Sequence, residues 1–600
     1  MSSTFMVAMR DGVCLATDVY LPPGGGPAPV LLERTPYGRD AVSRRERTAS
    51  QPQPRRRGEL AREFAATGYA VVVQDCRGRH GSEGTFTKYI GEASDGADTL
   101  AWIRGQPWCN GDVAAFGMSY SAHTQTALAS QRPAGLRALF LEAGGFSNAY
   151  RGGIRHGGAF ELKQATWALR NALDGGVQDE QALAALRRED IRAWFHALPW
   201  ARGRSPLQWA PEYEDYLFQQ WERGNFDDYW RQPELYAAGD YAAYRDVPTF
   251  LMCGWWDPYA QTTTDNYAGI AHQAGGRAWM VLGPWTHGER SVRHAGDVDF
   301  GPAAVLDGQL AADFTRMRLE WFDRWLRPDR KAAEWPRVRY FRMGGGSGER
   351  TPEGRLLHGG SWQAAADWPV PGTQDLALYL HADGTLSSRK PQGESVLRYE
   401  FDSEHPVPTL GGSITSGEPL MFPGAYDQST SEGTFAATAP YGPLAERDDV
   451  LVFQTEPLAE DLEVTGTVLV RLWISSSAPD TDFTAKLVDV YPPSADWPQG
   501  FAMNLTDGIL RCRYRRSWER PQLLEPGEIA EITIEPMPTS NLFRKGHRIR
   551  LDVSSSNFPR FDVNPNTGAP EGSDGPRRKA INAVHVSGVH ASRLVLPVVP

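Results

Sequence analysis

Six hundred residues exceed what a single hydrophobic core usually serves, so two or more domains are expected. The composition, 41% hydrophobic and 22% charged, is that of an ordinary globular chain and excludes disordered and collagen-like classes. A formal charge of -11 offers no basic field for nucleic acid, and no basic amphipathic stretch or run of about 18 apolar residues points to a membrane.

Up to about residue 145 the chain alternates apolar runs with helix-like segments. Strand-like runs at Val30 to Glu33, Tyr69 to Gln74, Val113 to Phe116 and Leu136 to Glu142 are interleaved with helical patterns at Glu59 to Ala66, Asp95 to Arg104 and Tyr120 to Ser130. That is the β-α-β rhythm of a parallel sheet. Between 147 and 246 the pattern becomes Trp-, Tyr- and Arg-rich and helical, as in Asp179 to Leu198 and Tyr213 to Gly224, with no clear strand. Strand-like runs return at Thr249 to Gly254 and Ala278 to Leu282, so 147–246 reads as a helical insertion in the sheet domain. A long helical pattern from Ala303 to Trp325 follows, and the Gly-rich stretch Gly344 to Gly348 suggests a boundary near 350. Beyond it short alternating runs such as Leu376 to Leu380, Phe483 to Val490 and Ile549 to Val553 predict an all-β sandwich or jelly roll. The expected division is 1–146 and 247–349 for an α/β domain, 147–246 for a helical cap and 350–600 for the jelly roll. Arg39 to Arg57, with seven arginines and little apolar content, is expected to be a mobile surface loop.

The five cysteines are scattered and no pair has metal-ligand spacing, so neither a disulfide framework nor a metal site is expected, and no organic cofactor is indicated. Met1 to Arg10 lacks the charged and apolar regions of a signal peptide, which gives a cytoplasmic, soluble expectation. A small-molecule substrate is the expected partner; a homo-oligomer stays open.

The chemistry starts at Gly117-Met118-Ser119-Tyr120-Ser121, a Gly-x-Ser-x-small motif between an apolar strand and a helix. The sharp turn requires small residues two positions either side of the serine. A serine hydroxyl is protonated at neutral pH, so it needs an imidazole and an orienting acid, in the chain order Ser, Asp, His. Asp257 follows the strand run Thr249 to Gly254, and His287 follows Ala278 to Leu282, both at the strand ends where open α/β sheets carry their sites. His123, on the helix after the serine, is the alternative imidazole. The backbone N–H of Tyr120 is an expected oxyanion donor. From the residues alone, Tyr37 after Pro36 reads either as a second donor or as a packed aromatic.

These residues carry a resemblance. The chain resembles the cocaine-esterase-like (CocE/NonD) serine hydrolases, relatives of Xaa-Pro dipeptidyl-peptidases and α-amino acid ester hydrolases. Its landmarks are Arg34-Thr35-Pro36-Tyr37, Asp75-Cys76-Arg77-Gly78, Gly117-Met118-Ser119-Tyr120, Gly254-Trp255-Trp256-Asp257, Gly283-Pro284-Trp285-Thr286-His287 and Ser554-Ser555-Ser556-Asn557-Phe558-Pro559. The resemblance implies an α/β-hydrolase core with an inserted cap and a C-terminal jelly roll. It implies ester cleavage by Ser119, His287 and Asp257, with Tyr37 and Tyr120 as the oxyanion hole. Amide cleavage, by an Xaa-Pro dipeptidyl-peptidase or a glutaryl or β-lactam acylase, is the second reading; a non-catalytic carbohydrate- or protein-binding scaffold is the third. Amino-ester hydrolases of this group hold the substrate ammonium with carboxylates that include acids just after the catalytic Asp. Here Pro258-Tyr259-Ala260 stands in their place, which ranks plain carboxylic esters first.

Overall fold

A computed structural model describes residues 2–327, 329, 334–573 and 575–600. The chain opens with an antiparallel pair that the sequence reading passed over, β1 (Ser2–Ala8) and β2 (Cys14–Tyr20). There follow β3 (Ala28–Thr35), α1 (Arg57–Ala66), β4 (Ala70–Asp75), α2 (Glu92–Arg104), β5 (Cys109–Met118), α3 (Tyr120–Ser130) and β6 (Leu136–Glu142). After the insertion come β7 (Thr249–Gly254), α8 (Ala260–Ala268), β8 (Ala278–Gly283), α9 (Phe314–Leu326) and β9 (Val338–Met343).

Pairing gives the sheet order β1-β2-β4-β3-β5-β6-β7-β8-β9, parallel from β4 to β9. Every residue of β3, β4, β7 and β8 is buried, as expected of strands covered by helices on both faces. The helices are written locally. Glu59 reaches back to the Arg56 N–H at the start of α1 (2.8 Å). Glu92 and Asp95 open α2 and Arg104 closes it, each at the end its charge favours. This mixed, largely parallel sheet is consistent with an α/β-hydrolase core.

The expected long helix from Ala303 to Trp325 is a correction. Only Phe314–Leu326 is α-helical, because Gly308 has a positive φ of 75° and the Asp313 carboxylate caps the later start by accepting the Arg316 N–H (2.7 Å). The insertion holds α4 (Lys163–Asn171), α5 (Glu180–Leu186), α6 (Ile191–His196) and α7 (Pro211–Glu222), plus one two-residue hairpin, Arg155–His156 with Ala159–Phe160. Trp194, Trp200 and Trp221 are buried in its interior, whereas Trp209 is exposed.

Past residue 350 the described elements are strands, short 3-10 turns apart. Four of them, Leu451–Gln454, Arg548–Ser554, Asp482–Tyr491 and Phe501–Arg511, form an antiparallel sheet in that spatial order. Others, among them Leu469–Ser476, Ala530–Ile534, Ala580–His585 and Arg593–Val598, belong to a second antiparallel ladder. Inward residues from both, such as Leu472, Ile474, Phe483 and Leu551, share one continuous core. Among the described residues no helix is long and apolar enough to cross a membrane.

Candidate active site

Ser119 stands between β5 and α3 with φ 60° and ψ -122°, a conformation that L-residues seldom adopt. The turn closes because its flanks are small: a Cβ on Gly117 would lie 2.4 Å from the Ser121 Cβ. The Ser119 N–H donates to the Glu142 carbonyl at the end of β6 (2.9 Å), which fixes the serine above the sheet. The next N–H, that of Tyr120, is the first of α3 and has no acceptor within the helix. The Tyr120 phenol is anchored elsewhere: it donates to Glu92 (2.9 Å) and accepts the Tyr89 N–H (2.8 Å).

Asp257 and His287 are presented by the ends of β7 and β8. The loops are tied together, the Trp256 N–H donating to the Trp285 carbonyl (3.1 Å), and a Cβ on Gly254 would lie 2.0 Å from that same oxygen. Asp257 is fully buried and takes the Tyr259 N–H on Oδ1 (3.0 Å). Its Oδ2 lies 2.7 Å from His287 Nδ1, so a protonated Nδ1 donates to the carboxylate and leaves Nε2 as the free base. His123 is not placed this way: its Nδ1 accepts the Gly145 N–H (3.0 Å).

Tyr37 brings its phenol oxygen to 3.4 Å from Ser119 Oγ. The turn that carries it is held from behind, since the Pro36 carbonyl accepts from Arg79 Nε (2.9 Å) and lies 3.0 Å from His80 Nε2. Arg79 is fully buried and also donates to the Asn171 and Asp174 carbonyls (2.9 and 2.7 Å), so it ties this turn to the end of α4. Ser119, Tyr37 and His287 open onto one cavity of about 560 Å³. No hydrogen bond joins Ser119 to His287 in this arrangement; the serine hydroxyl faces Tyr37 instead. Catalytic hydrogen bonds are commonly loose before substrate tightens them.

The Arg39–Arg57 segment corrects the surface-loop expectation in part: 49–54 is exposed, but the flanks on either side are folded against the molecule. Val42–Ser43 pairs with Arg55–Arg56, and Ala41 to Glu46 lines the cavity. Arg45 and Arg47 both pair with Glu289, two residues after His287, and Arg57 pairs with Glu33 (3.2 Å). Arg45, Arg47 and Arg57 therefore bind acids outside the segment. Two further residues were not singled out from the sequence. Glu142 and Arg290 form a buried ion pair (2.5 Å), and Arg290 also donates to the Gly288 and Arg45 carbonyls (3.1 and 2.7 Å), joining the end of β6 to the histidine loop and to the Arg39–Arg57 segment. Burial pushes the Glu142 carboxyl up to about 7 although Arg290 opposes the shift. Nothing short of tertiary structure reveals that pair. Opposite, Ile414 to Glu418 of the C-terminal region closes the cavity, and Arg170 of α4 donates to Ser416 Oγ (2.9 Å). Among the described residues no cluster of three or more His, Cys, Asp or Glu side chains could hold a metal.

Residues 11–289 match the family model of the X-Pro dipeptidyl-peptidase (S15 family), and residues 331–595 match that of the X-Pro dipeptidyl-peptidase C-terminal non-catalytic domain. The chain is 35% identical over 618 residues to cocaine esterase of Rhodococcus sp. (strain MB1 Bresler), covering 100% of this chain and 98% of that protein. Among solved structures it resembles an α-amino acid ester hydrolase, with a TM-score of 0.78, 26% identity and coverage of 100% and 96%. It also resembles an aminopeptidase from a marine sediment archaeon (Thaumarchaeota archaeon), with a TM-score of 0.76, 26% identity and coverage of 100% and 96%. The chain belongs to the cocaine-esterase-like (CocE/NonD) family of serine hydrolases, kin to the S15 X-Pro dipeptidyl-peptidases.

Proposed function

We propose that this chain is a serine hydrolase that cleaves carboxylic esters through an acyl-enzyme, with Ser119 as nucleophile, His287 as general base and Asp257 as its orienting acid. The observation that carries the reading is the 2.7 Å His287–Asp257 contact on the same cavity as a serine with φ 60°. Ser119 Oγ attacks the ester carbonyl while His287 Nε2 takes its proton. The Tyr120 N–H and the Tyr37 phenol donate to the oxyanion, His287 returns the proton to the departing alcohol, and water repeats the sequence to release the acid. Asp257 keeps Nδ1 protonated and stabilises the imidazolium.

The division into an α/β-hydrolase core (1–146 and 247–349), a cap (147–246) and a C-terminal jelly roll (350–600) is part of this reading. Supporting it are the helical content between β6 and β7 and the two antiparallel ladders beyond residue 350.

Ser119→Ala should lower turnover of an activated aryl ester by about 10^4-fold or more, and a fluorophosphonate should label the parent chain but not the variant. Near-normal turnover by the variant would end the proposal, and a parent chain that neither turns over nor labels would favour a non-catalytic scaffold. Amide cleavage is the second reading, favoured by the similarity to an aminopeptidase. A panel of one aryl ester, Xaa-Pro anilides and a glutaryl amide separates the two. Free α-amines are disfavoured as substrates because Pro258-Tyr259-Ala260, with no acid, follows Asp257, and the Tyr259 ring packs on His287 with Lys163 Nζ over the Tyr259 ring.

A further inference from the structure

The Tyr37 phenol has to meet an oxyanion within a narrow range of positions, yet it stands on a loop, and a loop is held only by what binds it. The carbonyls on either side of Tyr37 are both taken by arginines. That of Pro36 accepts from Arg79 (2.9 Å), and that of Gly38, whose φ is 88°, accepts from Arg57 Nη1 (3.3 Å). Arg57 is the first residue of α1, and its own N–H donates to the Ala41 carbonyl (3.1 Å). Its guanidinium carbon lies 5.9 Å from the centre of the Tyr37 ring, within reach of a cation–π contact.

The guanidinium is in turn oriented from the other side. Its Nε donates to Glu33 Oε1 (3.2 Å), and the same oxygen accepts from Ser121 Oγ (3.3 Å). Glu33 lies on β3, two residues before Thr35, whose hydroxyl accepts the Tyr37 N–H (3.2 Å). Ser121 is the second residue of α3, two positions after the nucleophile, where the elbow requires only a small side chain. Its hydroxyl is therefore surplus to the turn itself. Arg57, Glu33 and Ser121 are buried, and the first two also line the cavity. A buried ion pair seldom adds stability over apolar residues of the same size, so charge kept at this wall calls for a reason in geometry. One chain of contacts runs from the nucleophile elbow through Ser121, Glu33 and Arg57 to the turn that carries Tyr37.

We propose that Arg57, oriented by Glu33 and Ser121, is a positioning residue that sets the Tyr37 phenol for the oxyanion hole. The inference rests on the ester-hydrolase reading, with Tyr37 as an oxyanion donor. Arg57 acts through the turn: its hold on the Gly38 carbonyl and its place at the ring fix where the phenol oxygen stands relative to Ser119 Oγ, 3.4 Å away. The positive φ of Gly38 is a conformation that glycine adopts without steric cost. A planar guanidinium suits the task because its forked donors serve a carboxylate and a carbonyl while its face meets a ring.

The test is a double-mutant cycle on the full-length chain with an activated aryl ester. Arg57→Met should lower kcat by about 10- to 100-fold with KM little changed, because a displaced donor is missed only in the transition state. In a Tyr37→Phe chain, which has no phenol to place, the same substitution should change kcat by less than about threefold. Ser121→Ala, which strands no charge, should give a smaller loss in kcat that also vanishes beside Tyr37→Phe. Melting and the final extent of fluorophosphonate labelling check the fold. If Arg57→Met fails to fold, Arg57→Met combined with Glu33→Gln, and Ser121→Ala alone, complete the cycle. Parental kcat in a folded Arg57→Met chain, an equal loss with and without the Tyr37 phenol, or a rise in KM alone would each overturn the positioning role. Parental kcat in Tyr37→Phe, or turnover that persists in Ser119→Ala, would instead sink the underlying reading and this role with it, so the two failures are distinct.

Discussion

In the C-terminal region Arg511, almost wholly buried, meets Asp482 at 3.0 Å, Asp562 at 3.0 Å and also Glu571, while Arg513 meets Asp480 at 2.8 Å. Asn564 adds donors to Asp480 and Asp482 (2.9 and 2.7 Å). Against α4, Lys88 is as deeply buried and has one amide oxygen. Both regions remove cations from water, but only the first surrounds them with carboxylates. The difference is one of satisfaction: a closed ion network holds chain segments together, whereas an incompletely paired buried cation costs the fold stability.

The comparison can be broken by substitution. Arg511→Met should be the most damaging to stability, by about 3–5 kcal/mol, because it strands buried carboxylates. Denaturant unfolding would show it, and folded variant should keep its ester activity; a neutral outcome would mean the network is not what joins these strands. Tyr37→Phe removes a donor aimed at Ser119 and should cost about 10^2 to 10^3 in kcat, or about 2.7–4 kcal/mol, with little change in melting. A kcat within threefold of the parent would remove the phenol from the oxyanion hole. Lys88→Met should act in the opposite sense to Arg511→Met, stabilising the chain by about 1 kcal/mol or more, as replacing incompletely paired buried charge by an apolar side chain often does. Clear destabilisation would make Lys88 a structural residue.

The effect that appears only as a pH dependence concerns Glu142, buried beside Arg290 with Glu46, Arg318 and Asp257 also acting on it. Its carboxyl, raised to about 7, is favoured in its protonated form by folding. The stability this group contributes is therefore present at acidic pH and declines as pH rises through the ordinary carboxylate range to about 7, by at most about 1.4 kcal/mol per unit. Glu142→Gln should erase that slope. Parallel stability–pH curves for parent and variant would exclude the titration.

Much of the core was legible because its strands are short apolar runs bounded by Gly or Pro, and because Ser119, Asp257 and His287 follow such runs directly. What escaped was whatever depends on partners far along the chain. Arg39 to Arg57 looks solvated in sequence since charge without apolar content ordinarily is; its arginines find Glu289 and Glu33 only in the fold. Lys88 lies in an unremarkable Thr85-Phe86-Thr87-Lys88-Tyr89 stretch, and nothing local marks it as buried. His123 was noticed as a rival base, but its unpaired Nε2 is a property of its surroundings. The start of α9 was set too early because apolar spacing continues upstream of the Asp313 cap.

The last parallel strand, β9, pairs antiparallel with Gly360–Ala365 from Val338 to Met343, and Met343 bridges onward to Asn541. Cut at this point, the front half would present a raw row of backbone donors and acceptors to any passing chain. The C-terminal region thus covers this edge of the parallel sheet as well as walling the cavity, which gives a physical reason for the two regions to travel as one polypeptide.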